Sequence, residues 1–234
     1  MVTMEFERTK SGIPGFDELL YGGIPKGNLV VLSGDPGSGK TVFCFMFLYE
    51  GVLRFDEPGI YVSLEESADD LLSNSLEFGM DLAPLIKANK LKIITIELYD
   101  FDKLKSSIED AVQSIGAKRV VVDPGVVFRL FFEKELDARK RILSLGKMLK
   151  HLGCTSVVTN ELSLDDSKSL FGLEEYVADG VVLMYHTKSQ NRFIRSIAVV
   201  KMRGTKISEN LHPLQIAKNG LKVLSTQELF EDVE

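Results

Sequence analysis

Gly34-Asp35-Pro36-Gly37-Ser38-Gly39-Lys40-Thr41 fits the phosphate-loop pattern G-x-x-x-x-G-K-[ST] at every fixed position. The residues on either side suit it. Upstream, residues 28–33 form a short apolar, β-branched run between Gly27 and Gly34, which predicts a buried strand. Downstream, residues 42–48 are apolar all round, as in a helix packed on a sheet. Strand, glycine loop and helix therefore follow one another in the order the motif needs. The glycines let backbone N–H groups from Gly34 to Val42 curl around a polyphosphate, and the helix N-terminus adds partial positive charge. Lys40 is then placed to reach the β- and γ-phosphates, and the Thr41 hydroxyl to ligate Mg2+.

The remaining runs extend this unit into a sheet. Residues 59–64 predict a second strand that stops at the adjacent carboxylates Glu65 and Glu66. Ser67, with an acid three positions on, predicts a helix cap and a helix to about residue 78. The two glutamates thus lie in a strand-to-helix loop, at the end of a strand where open α/β sheets hold ligands, and are candidate catalytic groups. Residues 91–96 predict a third strand and residues 101–115 a helix. Residues 119–123 predict a fourth strand, whose three consecutive valines suit burial on both faces. Asp123 at its carboxyl end is placed to hold Mg2+, usually through water. Apolar residues at steps of four and three over 138–152 mark one helical stripe, and residues 154–159 predict a fifth strand. Beyond Gly172 the long helices stop. Short strand-like runs at 180–186, 193–202, 214–216 and 221–224 predict a parallel βα core extended by antiparallel hairpins.

Composition narrows the function classes. The 234 residues carry a net charge of −6, so no global basic field draws the chain to nucleic acid or anionic lipid. No linker rich in Pro, Gly or Ser divides it, and one domain is expected: residues 1–27 lead in, 28–186 form the core, and 187–234 supply the C-terminal strands and tail. Cys44 and Cys154 have neither metal-ligand nor redox spacing and read as buried thiols. With no signal-like N-terminus and no apolar run approaching about 18 residues, a cytoplasmic protein without membrane contact is expected.

Several stretches together resemble the KaiC-like branch of the RecA-type ATPases. They are residues 11–17 with 22–27, the phosphate loop, residues 61–67, residues 78–82, Gly172 to Gly180, and Val200-Lys201-Met202-Arg203-Gly204-Thr205. The resemblance spans nearly the whole chain. It implies a RecA-like fold, ATP with Mg2+, and rings, commonly hexamers, with nucleotide at subunit interfaces. It also implies that Glu65 is the principal hydrolytic carboxylate, with Glu66 second, and that Lys201 and Arg203 approach a neighbour's γ-phosphate. Lys201 and Arg203 stand two apart on a predicted strand and so share a face, for which a solvated strand face is the alternative reading. One departure is that Asp123 precedes Pro124 where the family usually has Ser or Thr. Proline brings neither hydroxyl nor N–H, so slow or differently timed hydrolysis is expected.

Three functions compete. The first is an ATP-driven ring that switches its grip on a protein partner, and the second is a recombinase paralogue on single-stranded DNA. The third is a nucleotide-binding structural subunit with little turnover. The loops that would hold DNA, residues 129–137 and 163–172, carry two basic against three acidic and one basic against two acidic residues. Because phosphate neutralisation dominates non-specific affinity, such loops grip DNA poorly, and the switch is favoured. Phe128, Phe131 and Phe132 are read as core or interface residues.

Overall fold

Leu29–Gly34, the run before the phosphate loop, is the strand on which the sheet is built (β3), and every residue of it is buried. The computed structural model describes residues 7–96, 100–124, 135–161 and 177–227. Before β3 come β1 (Arg8–Thr9), a four-residue helix α1 (Phe16–Leu19) and β2 (Ile24–Pro25), with β1 and β2 paired as a separate two-stranded sheet. After it come α2 (Lys40–Phe55), β4 (Gly59–Ser63), α3 (Ala68–Glu77), α4 (Ala83–Lys87), β5 (Leu91–Thr95), α5 (Phe101–Ile115) and β6 (Arg119–Asp123). Then follow α6 (Glu135–His151), β7 (Thr155–Glu161), β8 (Gly180–Ser189), β9 (Arg192–Met202), β10 (His212–Ala217) and β11 (Gly220–Val223).

Nine strands form the main sheet in the order β11-β10-β9-β8-β3-β7-β6-β4-β5. The stretch from β5 to β8 is parallel, and β9, β10 and β11 add antiparallel strands at one edge. Alternation along each strand divides its side chains between two cores. Val30, Leu32, Tyr61, Val121 and Val157 pack with α2. Leu29, Ile60, Val62, Val120, Val122 and Val158 pack with α5 and α6. A sheet covered on both faces explains why its parallel strands are continuous apolar runs.

Local chemistry sets the helix limits. Ser67 accepts a hydrogen bond from the Asp70 amide at 3.2 Å and opens α3 as its sequence predicts. Asp100 caps α5 through the amides of Asp102 and Lys103, and Gly116 closes it in the left-handed conformation. On α6, Ile142, Leu145 and Leu149 of the expected stripe are buried. Cys44 and Cys154 are both buried and free. β8 continues past the predicted limit of His186 to Ser189 because backbone pairing with β9 persists where its side chains turn polar and exposed. β9 carries a bulge opposite Val181/Val182 and ends at Met202, so Lys201 lies on the strand while Arg203 lies in the turn beyond it. The loops weighed for DNA, Phe128, Phe131 and Phe132, and residues 172–176 lie outside the described residues, except that 135–137 open α6.

Candidate functional site

Parallel order carries the ends of β3, β7, β6 and β4 to one edge of the sheet, where Gly34 is in register with Glu161 and Ser63 with Asp123. The phosphate loop, Glu65, Glu66 and Asp123 therefore converge although they are far apart in sequence. At Gly34 a side chain would be excluded by the Met184 carbonyl, 2.5 Å from where a Cβ would stand. Gly39, with φ +105°, turns the loop into α2, whose first turn has no side-chain cap. Uncapped N–H groups at the start of this 16-residue helix are suited to an anion.

Lys40 donates to the loop's own carbonyls, Gly34 O at 2.8 Å and Asp35 O at 3.1 Å. Burial lowers its pKa, opposed by the charges of Glu161, Asp123 and Asp35. The loop is braced from β8 and β9: the His186 amide donates to Asp35 Oδ2 at 2.8 Å and Arg195 Nε to Gly37 O at 2.9 Å. Asp123 is held by hydroxyls. Tyr61 and Thr159 donate to its two carboxylate oxygens, and Thr41 Oγ1 lies 3.4 Å from Oδ2. The peptide bond between Asp123 and Pro124 is cis. Hydroxyl contacts to Asp123 thus come from β4 and β7 on either side of β6, in a chain whose next residue has no hydroxyl to offer. No cluster of three or more His, Cys, Asp or Glu suited to a metal occurs among the described residues. Thr41 and Asp123 still fit Mg2+, which takes one or two protein oxygens and completes its shell with water and phosphate.

A cleft of about 600 Å3 opens beside the loop. Gly37, Gly39, Lys40 and Thr41 line it together with Glu66, Asn74, Phe78, Arg195 and Ile216. Glu66 is positioned by Ser63, whose hydroxyl donates to its carbonyl at 2.6 Å and accepts from its amide at 3.0 Å. Asn74, two turns along α3, donates to Glu66 Oε2 at 3.0 Å. Burial, then the charge of Asp123, raises the Glu66 pKa, with the Asn74 bond opposing. Glu65 and Glu66 are both exposed, but only Glu66 lines the cleft. A second cleft of about 620 Å3 lies at the far end of α2, between Arg54, Phe55, Lys10 and Tyr21, away from the phosphate loop.

Lys201 and Arg203 are elsewhere. Their strand region is in register with the first residue of β8, Gly180, which pairs with Val30 near the amino end of β3. Lys201 Nζ donates to Ala178 O at 2.7 Å, and Arg203 faces Asp179 at 3.3 Å, so the two cations remain side by side. Burial, then the charge of Arg203, lowers the Lys201 pKa. Sequence reasoning missed Tyr61 and Thr159 as partners of Asp123, and Asn74 and Arg195 as cleft residues. A polar residue at the end of a strand next to β6 is a usable signal for Thr159, but only once strand order is known.

A family model described as ATPase: KaiC matches residues 9–228. The chain belongs to the KaiC ATPase family. A UPF0273 protein of Methanocaldococcus jannaschii is 36% identical, covering 93% of this chain and 96% of its own. The circadian clock oscillator protein KaiC of Prochlorococcus marinus is 33% identical over 94% of this chain and 46% of its own, so this chain corresponds to about half of it. The crystal structure of KaiC-like protein PH0186 from Pyrococcus horikoshii matches with a TM-score of 0.85 and 36% identity, covering 94% of this chain and 99% of the other. The fold is RecA-like, with a mostly parallel sheet and C-terminal antiparallel strands. No helix among the described residues is long and apolar enough to cross a membrane.

Proposed function

We propose that this KaiC-family chain binds Mg-ATP at residues 34–42 and hydrolyses it in a ring, commonly hexameric, whose subunits complete one another's sites. The nucleotide state then changes the ring's grip on a protein partner. The observation that carries the proposal is the convergence of an uncapped helix N-terminus, Lys40, the Thr41–Asp123 oxygen pair and Glu66 around one cleft. Lys40 moves from the loop carbonyls to the β/γ-phosphates. Thr41 and Asp123 would hold Mg2+, which would supply neutralisation of phosphate charge. The Glu66 carboxylate, oriented by Asn74, aligns the attacking water, with Glu65 beside it. Phe78 and Ile216 offer an apolar wall against which a base can lie.

Lys201 and Arg203 act in trans. They lie at the amino end of β3 while the phosphate loop leaves its carboxyl end, and at about 3.3 Å per residue those ends are roughly 17 Å apart. Within one subunit that is too far for either side chain to reach the phosphates. Across a ring contact they can stabilise transition-state charge, a contribution of about 10³-fold or more.

The test is particle mass and phosphate release measured without nucleotide, with ADP and with ATP, with and without single-stranded DNA. ATP-dependent rings, turnover unaffected by DNA, and loss of ATP affinity in Lys40→Ala are expected. Unchanged Mg-ATP affinity in Lys40→Ala overturns the site, and DNA-stimulated assembly favours the recombinase reading.

A further inference from the structure

Arg203 is fixed at its backbone, while its head makes only an exposed ion pair with Asp179 among the described contacts. Its amide donates to Asp179 O at 2.8 Å, and its carbonyl accepts from the Asn28 side-chain amide at 3.0 Å. Gly204 turns the chain in the left-handed region, φ +85°, and Thr205 is captured at once. The Thr205 hydroxyl donates to Leu20 O at 3.0 Å and accepts from Arg8 NH2 at 2.9 Å. The other arm of the Arg8 guanidinium donates to Gly23 O at 2.9 Å and Leu20 O at 3.2 Å. Three residues further on, the Ser208 amide donates to Leu19 O at 2.8 Å. The guanidinium side chain of Arg203, by contrast, is 59% exposed and touches only Asp179 among these groups.

We propose that Arg8 is a positioning residue for Arg203: through Thr205 it locks the turn after β9 onto the N-terminal segment, so that the Arg203 guanidinium is presented to the neighbouring subunit from a rigid base. The proposal rests on the reading above that Arg203 acts across the interface. A planar fork is needed because two carbonyls and one hydroxyl must be held at once, which a lysine's single ammonium point does not reproduce. Preorganisation of this kind matters because a charge-stabilising group is effective only when little rearrangement is left to the transition state, and a shift of about 1 Å can cost about 10²-fold. Neither Arg8 nor Thr205 belongs to the nucleotide cleft.

The experiment compares kcat and KM for Mg-ATP in Arg8→Ala, Thr205→Val and Thr205→Ser, each alone and combined with Arg203→Ala, alongside ring mass and melting temperature. Arg8→Ala and Thr205→Val are expected to lower kcat by about ten- to a hundredfold with KM nearly unchanged. Thr205→Ser, which keeps the hydroxyl, should recover most of the loss seen in Thr205→Val. Added to Arg203→Ala, neither substitution should lower kcat further, because each acts through Arg203. A purely structural role would instead lower kcat additively. If Arg203→Ala slows turnover while Thr205→Val and Arg8→Ala do not, or if their effects add to it, the positioning role is overturned and the trans reading stands. If Arg203→Ala turns over like the unmodified protein, the trans reading falls and this inference with it. Should Arg8→Ala fail to fold, the Thr205 pair decides alone.

Discussion

Glu66 is the residue whose surroundings speak most directly to chemistry. Its carboxyl lies against the cleft, bonded by Asn74, and burial together with Asp123 raises its pKa above the ordinary 4.5. A general base works only when ionised, so activity should fall as pH drops through that raised value, and the acid limb of kcat/KM should lie above 4.5. Glu66→Gln is expected to retain ATP while losing about 10²-fold or more in turnover, and with it that limb. An intact limb in Glu66→Gln, or a selective loss in Glu65→Gln, would return the role to Glu65, the group the family resemblance favours. The difference shows what sequence carries at this scale. The placement of Lys40, Thr41 and Asp123 was legible because each is tied to a local pattern, a glycine loop or a strand end. Which of two adjacent glutamates faces the cleft depends on Ser63 gripping the Glu66 backbone and on Asn74 lying two helical turns away. The hydroxyls on Asp123 were hidden for a related reason. Tyr61 and Thr159 reach it only because β4 and β7 flank β6, an order that no residue spacing states.

At the scale of elements, the strands of the main sheet and helices α2, α3, α5 and α6 were legible while β1, β2 and α4 were not, and α5 occupies the residues its pattern predicts, because an Asp cap, an amphipathic stripe and a terminal glycine agree. Less legible was the way the N-terminal segment is tied to the core. Arg119, at the start of β6, has a fully buried side chain that spans three elements. It pairs with Glu57 at 2.6 Å, donates to Phe47 O on α2 and Lys10 O at 2.7 Å each, and lies over the Phe47 ring. Gly51 makes the room, since a Cβ there would stand 2.5 Å from the arginine side chain. From sequence Arg119 is merely a charge before three valines, with nothing to announce burial. Arg119→Ala leaves Glu57 and two backbone carbonyls without their partner and should cost about 3–5 kcal/mol in urea unfolding. Arg119→Lys should recover only part of this, because an ammonium lacks the fork. A loss below about 1 kcal/mol for Arg119→Ala would show that the tie is dispensable.

On the scale of the whole molecule, the two halves of the proposed machinery sit at opposite ends of β3. The phosphate loop, Asp123 and Glu66 occupy the carboxyl edge of the sheet, while Lys201 and Arg203 occupy the amino end, held by Ala178 and Asp179. That separation follows from an antiparallel β9 returning along β8, which the change of pattern after Gly172 foreshadowed without giving strand order. In the proposed ring each phosphate loop keeps its own Lys40 but stands far from its own Lys201–Arg203 pair, and a head-to-tail contact would bring the neighbour's pair to it. The direct test mixes a Lys201→Ala, Arg203→Ala double variant with Lys40→Ala, each nearly inactive alone, under conditions that exchange subunits. Recovery of ATPase activity at intermediate ratios is predicted, because some contacts then join an intact phosphate loop to an intact basic pair; mixed rings confirmed by mass, with no recovery at any ratio, would contradict the account.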